Sequence, residues 1–310
     1  MKDISVAMLL PTHDNVCVDL VAELKRQADA LAASRDHAFA YEIIVADDGS
    51  RDMACVERNR CIGLMEHCRF VRVEHNVGRA CIRNFLVGQS RARYLLFIDS
   101  DLSVCSDRYL ASYVEWIETH DGDDVVVYGG TRIGGEGGAL RGNLRYLYEK
   151  RAEPLHMAEG RMRHPCSSLS VCNCLVARHV MLDHPFDQRF KAYGYEDVLL
   201  GKRLAESGIT VSHIDNPMLM CKFDSNVVFV AKTEEALLTL CRFGDDLRGY
   251  SHLQTHVERL VRYVPLWPLR LWHRAMGKVE RRILVGRHPS LLVFKLYKLG
   301  FYLACRQTSC

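Results

Sequence analysis

The chain of 310 residues is 48% hydrophobic and 25% charged, which excludes a disordered or fibrous protein and suits one large α/β domain or one domain with an appendage. Thirteen cysteines form an odd set, and several (Cys17, Cys81, Cys172, Cys174) sit inside apolar segments, so they read as reduced thiols rather than a disulfide scaffold. The net charge of +3 is unevenly spread: 11 of the 41 basic residues but one of the 38 acidic residues (Glu280) lie in 259–310, leaving 30 basic and 37 acidic residues before them.

In chain order, Ile4 to Leu10 is an apolar run of strand length closed by Pro11-Thr12, and Val16 to Leu31 carries apolar residues at helical spacing. Tyr41 to Ala46 is again a strand, ending at Asp47-Asp48-Gly49-Ser50. A helical stretch from Asp52 to Glu66 and a strand from Arg69 to Val73 follow, and strands alternating with helices imply a parallel sheet. Asn76 to Leu102 then gives a glycine turn, a helix with Arg79 and Arg83 on one face, an apolar strand from Tyr94 to Ile98, and Asp99-Ser100-Asp101 at its end. Carboxyl ends of buried parallel strands face the crevice where such sheets bind ligands. Side by side, these strands put Pro11-Thr12, Asp47-Asp48 and Asp99-Ser100-Asp101 along one crevice. Two carboxylates one residue apart can share a hard cation such as Mg²⁺ or Mn²⁺, and arginines at a helix start can take phosphate oxygens. The plainer reading is that acidic residues end a strand and the arginines are solvated. No G-x-G-x-x-G follows the first strand and no G-x-x-x-x-G-K-[ST] occurs, so neither a dinucleotide fingerprint nor a P-loop is present.

LLPTHDN, VADDGS, NVGRACIRN and IDSDL, in that order and spacing, resemble the nucleotide-sugar-binding half of a family 2 glycosyltransferase of the GT-A fold. The resemblance implies a mostly parallel nucleotide-binding sheet flanked by helices and a UDP-sugar donor. It implies that Asp48 contacts the uracil with Asp47 supporting it, that Asp99 reaches the ribose or the metal, and that Asp101 ligates the divalent ion on the donor's diphosphate. Pro11, Asp47, Asp48, Arg79, Arg83 and Asp99 are the expected donor-binding residues, and Asp99 and Asp101 the expected metal ligands.

Further on, Asp107 to Thr119 reads as a helix and Val125 to Tyr128 as a strand. Gly129 to Gly142 is glycine-rich, either a linker or a loop that orders over the donor. Asn143 to Ala158 is helical, and Ser170 to Ala177, with Asn173 between two cysteines, is a strand. In FDQRFKAYGYEDVLLGKRL, Glu196-Asp197 opens a helix after a Gly-aromatic turn, where acids also stabilise the helix start for local reasons. The family carries such a pair, and the resemblance makes Asp197 the general base and Glu196 an aid in positioning the acceptor. Displacement at an anomeric carbon needs such a carboxylate within hydrogen-bond reach of the acceptor hydroxyl, and one displacement inverts the centre. Bacterial members often have a histidine where this chain has Cys221; if that histidine is a metal ligand, this chain either uses another group, such as His213 or water, or holds the ion more loosely. Lys232 to Phe243 is an amphipathic helix.

After Leu253, YVPLWPLRLW, the basic stretch Arg274 to Leu284 and the apolar stretch Leu291 to Cys305 read either as interfacial helices on an anionic leaflet or as a helical pair packed on the body. The first apolar run is too short for a signal peptide, and no later run reaches transmembrane length without a charge. The expectation is a GT-A domain over 1–258, with a nucleotide-binding half (1–102) and an acceptor half (103–258), and a basic helical tail over 259–310. The expected activity is inverting, Mn²⁺- or Mg²⁺-dependent transfer from a UDP-sugar to a glycan or lipid-linked glycan hydroxyl in cell-surface polysaccharide synthesis. Its expected place is the cytoplasmic side, peripheral on the inner face of the membrane, with no nucleic-acid partner. Two rivals share the crevice: a sugar nucleotidyltransferase and a non-catalytic nucleotide-binding member.

Overall fold

In the computed structural model, which describes residues 4–35, 39–120, 122–135, 138 and 140–308, the apolar runs near the amino terminus form the centre of a sheet. β1 (Ile4–Thr12), α1 (Val18–Ser34), β2 (Phe39–Asp48), α2 (Met53–Arg60), β3 (Cys68–Val73), α3 (Arg79–Gly88) and β4 (Tyr94–Ile98) alternate as the sequence pattern requires. β1 lies between β2 and β4 and is parallel to both, with Thr12 opposite Asp47. Chain direction across the sheet reverses at β1, so the ends of β1 and β4 open onto the switch-point crevice. All five residues of β4 are buried, and charge enters only where the strand ends.

The remaining elements are β5 (Leu102–Val104), α4 (Tyr109–Thr119), β6 (Val126–Tyr128), β7 (Thr131–Ile133), α5 (Leu144–Ala152), α6 (Ala158–Arg161), β8 (Asn173–Ala177), α7 (Arg178–Asp183), α8 (Glu196–Glu206), β9 (Ser212–His213), β10 (Met218–Met220) and α9 (Asn226–Arg242). The sheet runs β3-β2-β1-β4-β8-β6-β9, with β8 antiparallel to both neighbours, and a small sheet β5-β10-β7 sits beside it. Two expected helices are shorter than their periodicity. α2 gives way to a 3₁₀ turn at Cys61–Leu64, and α5 ends at Ala152 before Pro154, whose ring cannot continue a helix.

The glycine-rich stretch begins as scaffold rather than as a loose linker. Residues 131–133 form β7, and 136, 137 and 139 lie outside the described residues. A Cβ on Gly129 would strike the Tyr113 hydroxyl, the Asn216 carbonyl and the Asn173 amide. That amide is a fully satisfied junction. Asn173 Oδ1 accepts from the Tyr109 and Tyr113 hydroxyls at 2.7 and 2.9 Å, and its Nδ2 donates to the Gly130 and Asn216 carbonyls at 2.8 and 2.9 Å. Asn173→Ala leaves these buried groups unpaired, an expected loss of about 3–5 kcal/mol. Thermal unfolding should show it as a melting point lowered by roughly 10 °C; an unchanged melting point would remove Asn173 from this role.

The carboxyl-terminal segment forms α10 (His252–Val261), α11 (Trp267–Val285) and α12 (Leu291–Thr308). α11 and α12 pair with each other and both pack on α9. Leu266, Tyr302 and Leu303 join the main core, and Leu284, Phe294 and Tyr297 form a second one with Leu144 and Val230. Of the two readings of this segment, packing on the body is the one observed. Its apolar residues do not all go inward, and Tyr263, Trp267, Leu271 and Trp272 stay exposed. Among the described residues no helix is long and apolar enough to cross a membrane.

Candidate active site

Where β1, β2 and β4 end, the chain leaves a cleft of ≈ 560 Å³ lined by Pro11, Asp48, Arg79, Arg83, Asp99 and Asp101, among others. Six residues expected at the donor and metal sites therefore converge. Asp47 lies just behind: it is buried, bonded to the Ser50 hydroxyl, and ion-paired with Arg72 Nε at 3.3 Å. Asp48 points forward and accepts from the Val77 and Gly78 amides at 2.7 and 3.1 Å. Asp48 thus takes the two amides that lead into α3. Gly78 makes this approach possible: its φ is +87°, and a Cβ there would lie 2.8 Å from the Lys191 carbonyl.

Arg83 has a different position from the one its helical face suggested. Its side chain is 2% exposed, and it joins the two halves of the site. Nη2 donates to Asp99 Oδ1 at 2.9 Å, and Nη1 donates to Glu196 Oε1 at 3.1 Å and to Asp197 Oδ1 at 3.3 Å. A guanidinium shared by three carboxylates has little charge left for phosphate. Arg79 is the arginine that remains half exposed, its guanidinium 4.6 Å over the Tyr193 ring and 3.9 Å from Glu196. Arg145, Lys191, Lys222 and Lys232 also line the cleft. Nothing in their local sequence marks them, because they arrive from three distant segments. Arg145 and Lys232 share Asp224 at 2.6 and 3.0 Å, and Lys222 Nζ donates to Asn15 Oδ1 at 2.7 Å. Asn15 in turn donates to the Ser100 carbonyl at 2.7 Å, so the late segment is tied to the end of β4.

The carboxylates fall into different electrostatic states. Burial works against ionising Asp99, but Arg83 and Arg79 outweigh it and hold its carboxyl below the usual range. Asp101 is lifted by burial and by the charge on Asp99, and it has no basic partner within 4 Å among the described residues. Burial pushes Asp197 up to about 6 against the pull of Arg83, with Glu196 adding to the rise. Its Oδ2 accepts from the Ser170 hydroxyl and the Val171 amide, both at 3.1 Å, so the group is fixed in orientation. The turn before it is set by Tyr195 in the left-handed region, φ 71°.

The Asp99-Asp101 pair fits a divalent ion in one respect: an unpaired carboxylate beside an ionised one is relieved by a cation, and oxygen ligands suit Mn²⁺ and Mg²⁺. No group of three or more His, Cys, Asp or Glu side chains able to hold a metal occurs among the described residues, so most other ligands would come from phosphate and water. His213 is not a substitute ligand. It is buried, lies outside the cleft lining, takes a hydrogen bond from Arg161 Nε at 3.1 Å, and donates to the Pro165 carbonyl at 3.0 Å. Burial lowers it to about 4, so it is neutral. Cys221 is exposed at the end of β10, beside Gly134.

The sequence profile described as "Glycosyl transferase family 2" matches residues 16–181, more than half of the chain. No curated protein matches significantly by sequence. Among solved structures, the mannosyltransferase PcManGT of Pyrobaculum calidifontis, in complex with GDP-Man and Mn²⁺, aligns at TM-score 0.53 and 12% identity over 98% of this chain and 86% of its own. S. aureus TarS 1–349 in complex with UDP aligns at 0.51 and 15%, over 100% and 91%. Glucosyl-3-phosphoglycerate synthase of Mycobacterium tuberculosis, in complex with Mn²⁺, UDP and phosphoglyceric acid, aligns at 0.50 and 19%, over 78% and 79%. At these identities the likeness is one of fold, the mixed α/β GT-A architecture. Profile and fold agree, and the chain belongs to glycosyl transferase family 2.

Proposed function

We propose that this protein is an inverting glycosyltransferase that moves a sugar from a UDP-sugar to a hydroxyl of a glycan or lipid-linked glycan in cell-surface polysaccharide synthesis, on the cytoplasmic face of a membrane. Residues 1–102 hold most of the donor, and 103–258 hold the acceptor and add basic side chains at the diphosphate, with 259–310 carried on the body. The observation that carries the reading is the Arg83 junction, where one side chain holds Asp99 at the end of β4 and the Glu196-Asp197 pair at the start of α8.

In this reading Asp48 and Pro11 face the base, while Arg79, with Arg145, Lys222 and Lys232, faces the diphosphate. Asp99 and Asp101 would hold Mn²⁺ or Mg²⁺, which neutralises the departing diphosphate when bound. Asp197, held by Ser170, Val171 and Arg83, takes the proton from the acceptor hydroxyl, and Glu196 orients that acceptor.

The test is UDP release from a panel of UDP-sugars with Mn²⁺, together with UDP binding. Asp101→Asn removes the unpaired charge, and UDP affinity measured with Mn²⁺ is expected to fall about 10–100-fold while affinity without metal stays unchanged. If no nucleotide-sugar is bound or turned over, the transferase reading fails. UDP binding without turnover of any donor would favour a non-catalytic member. Deleting 259–310 does not test membrane association, because it would strip Tyr302 and Leu303 from the core.

A further inference from the structure

A second cavity, of ≈ 920 Å³, lies apart from the active site, between α10, α12 and the 155–167 segment. Its lining is unusual for a surface of mixed charge. Arg259, Lys295, Lys298 and three histidines line it, together with five leucines and no carboxylate. Arg259 and Lys295 are exposed, and none of the three cations has an acidic partner within 4 Å among the described residues. Lys298 is half-buried rather than open: it lies against the Tyr148 and Phe294 rings at 4.5 and 4.7 Å and donates to the Tyr148 hydroxyl at 3.4 Å. Burial lowers it to about 8 against the pull of Glu149, so the unpaired cations of the groove are Arg259 and Lys295. Three of the leucines stand uncovered at the mouth: Leu155 is 73% exposed, Leu292 68% and Leu296 38%. Unpaired cations beside open aliphatic surface match a molecule that carries an anion next to hydrocarbon chains. Exposed Val261, Tyr263 and Trp267 follow Arg259 in the chain, and tyrosine and tryptophan are side-chain types that settle at headgroup depth. A nucleic acid could stack on Tyr250 or the histidines, but the open leucines at the mouth favour hydrocarbon over bases.

We propose that this groove binds one anionic glycerophospholipid of the bilayer, its phosphate held by Arg259 and Lys295 and its acyl chains laid over Leu155, Leu292 and Leu296. The proposal deepens the membrane side of the proposed function and rests on it. Lipid binding here would hold the protein at the leaflet by α10 and α12, leaving the catalytic cleft outside the contact.

The experiment is co-sedimentation of the full chain with vesicles of phosphatidylcholine alone or with about one third phosphatidylglycerol. The wild type is expected to bind the anionic vesicles only. Arg259→Gln with Lys295→Gln is expected to weaken partitioning about 30-fold, and Leu292→Ser with Leu296→Ser about 10-fold. The control, Arg274→Gln with Lys278→Gln, removes the same charge from exposed positions of α11 outside the groove and should cost no more than about fivefold. Equal losses in the groove and control variants would overturn the site in favour of diffuse attraction. Absence of vesicle binding with UDP binding intact would overturn it outright, and retention of an oligonucleotide in place of vesicles would do the same. Vesicle binding without UDP binding would sink the transferase reading and leave this one standing.

Discussion

Arg83→Met is expected to destabilise the protein more than any other single substitution at the site, by about 3–5 kcal/mol near neutral pH. The side chain is buried, and methionine nearly fills its length, so the cavity left is small. What remains is charge: Asp99, Glu196 and Asp197 converge on an absent cation at 2.9, 3.1 and 3.3 Å. The sign with pH separates this from a packing defect. Without Arg83 the pull that helps hold Asp99 down and restrains the rise of Asp197 is gone, so the variant's native state binds more protons than that of the wild type. The variant's deficit should therefore shrink as pH falls from 8 to 5 and grow as pH rises. Melting points at the two ends of that range measure it; a deficit independent of pH would mean that the carboxylates are not what Arg83 holds. Arg83→Lys keeps the charge but loses the fork, reaching one carboxylate group at a time, and should recover only part of the loss.

That junction also shows what could be read from sequence and what could not. β1, β2 and β4 were legible because a strand buried on both faces must be a continuous apolar run, and its first charges mark its end. Asp48, Asp99 and Asp101 were legible for the same reason. Arg83 was visible as a residue but not as a role, since its helical face is shared with Arg79. Only the fold decides which of the two meets carboxylates from α8, 113 residues away along the chain. Arg145, Lys191, Lys222 and Lys232 were invisible because they converge from separate segments with no local pattern. β5, β7 and β10 escaped because three residues carry no detectable period, and Gly129 read as loose although Tyr113, Asn173 and Asn216 crowd it.

The basic tail illustrates a further limit. Its amphipathic period was right, but a period says that one face is apolar and not what covers it. α9 covers much of that face, burying Phe294 and Tyr297, while Tyr263, Trp267 and Leu292 remain open. Charge and apolar surface that the body does not use are thus spread over α10, α11 and α12, and in the groove between α10 and α12 Arg259 and Lys295 stand beside open leucines. That juxtaposition turns a general expectation of membrane contact into a test at named residues.

Asp197→Asn is expected to reduce kcat by about 10²–10⁴ while leaving the affinity for the nucleotide-sugar within a few-fold of wild type. Asparagine keeps the shape and an oxygen to accept from Ser170 or Val171, so the fold should persist and only proton acceptance is lost. The carboxylate it replaces is raised to about 6 by burial, against Arg83 and with Glu196. A base works when ionised. Wild-type kcat should therefore be full above that value and fall tenfold per unit as pH drops below it. Because Arg83 pulls Asp197 down, Arg83→Lys should move this acid limb to higher pH as its contact with Asp197 weakens, a shift that a purely structural arginine would not produce. Anomeric analysis of the product gives the second readout, since one displacement assisted by one base must invert the centre. Retention of transfer within a few-fold in Asp197→Asn would place the base elsewhere. Glu196→Gln, which keeps the contact with Arg83 through its carbonyl oxygen, would then separate the two members of the pair.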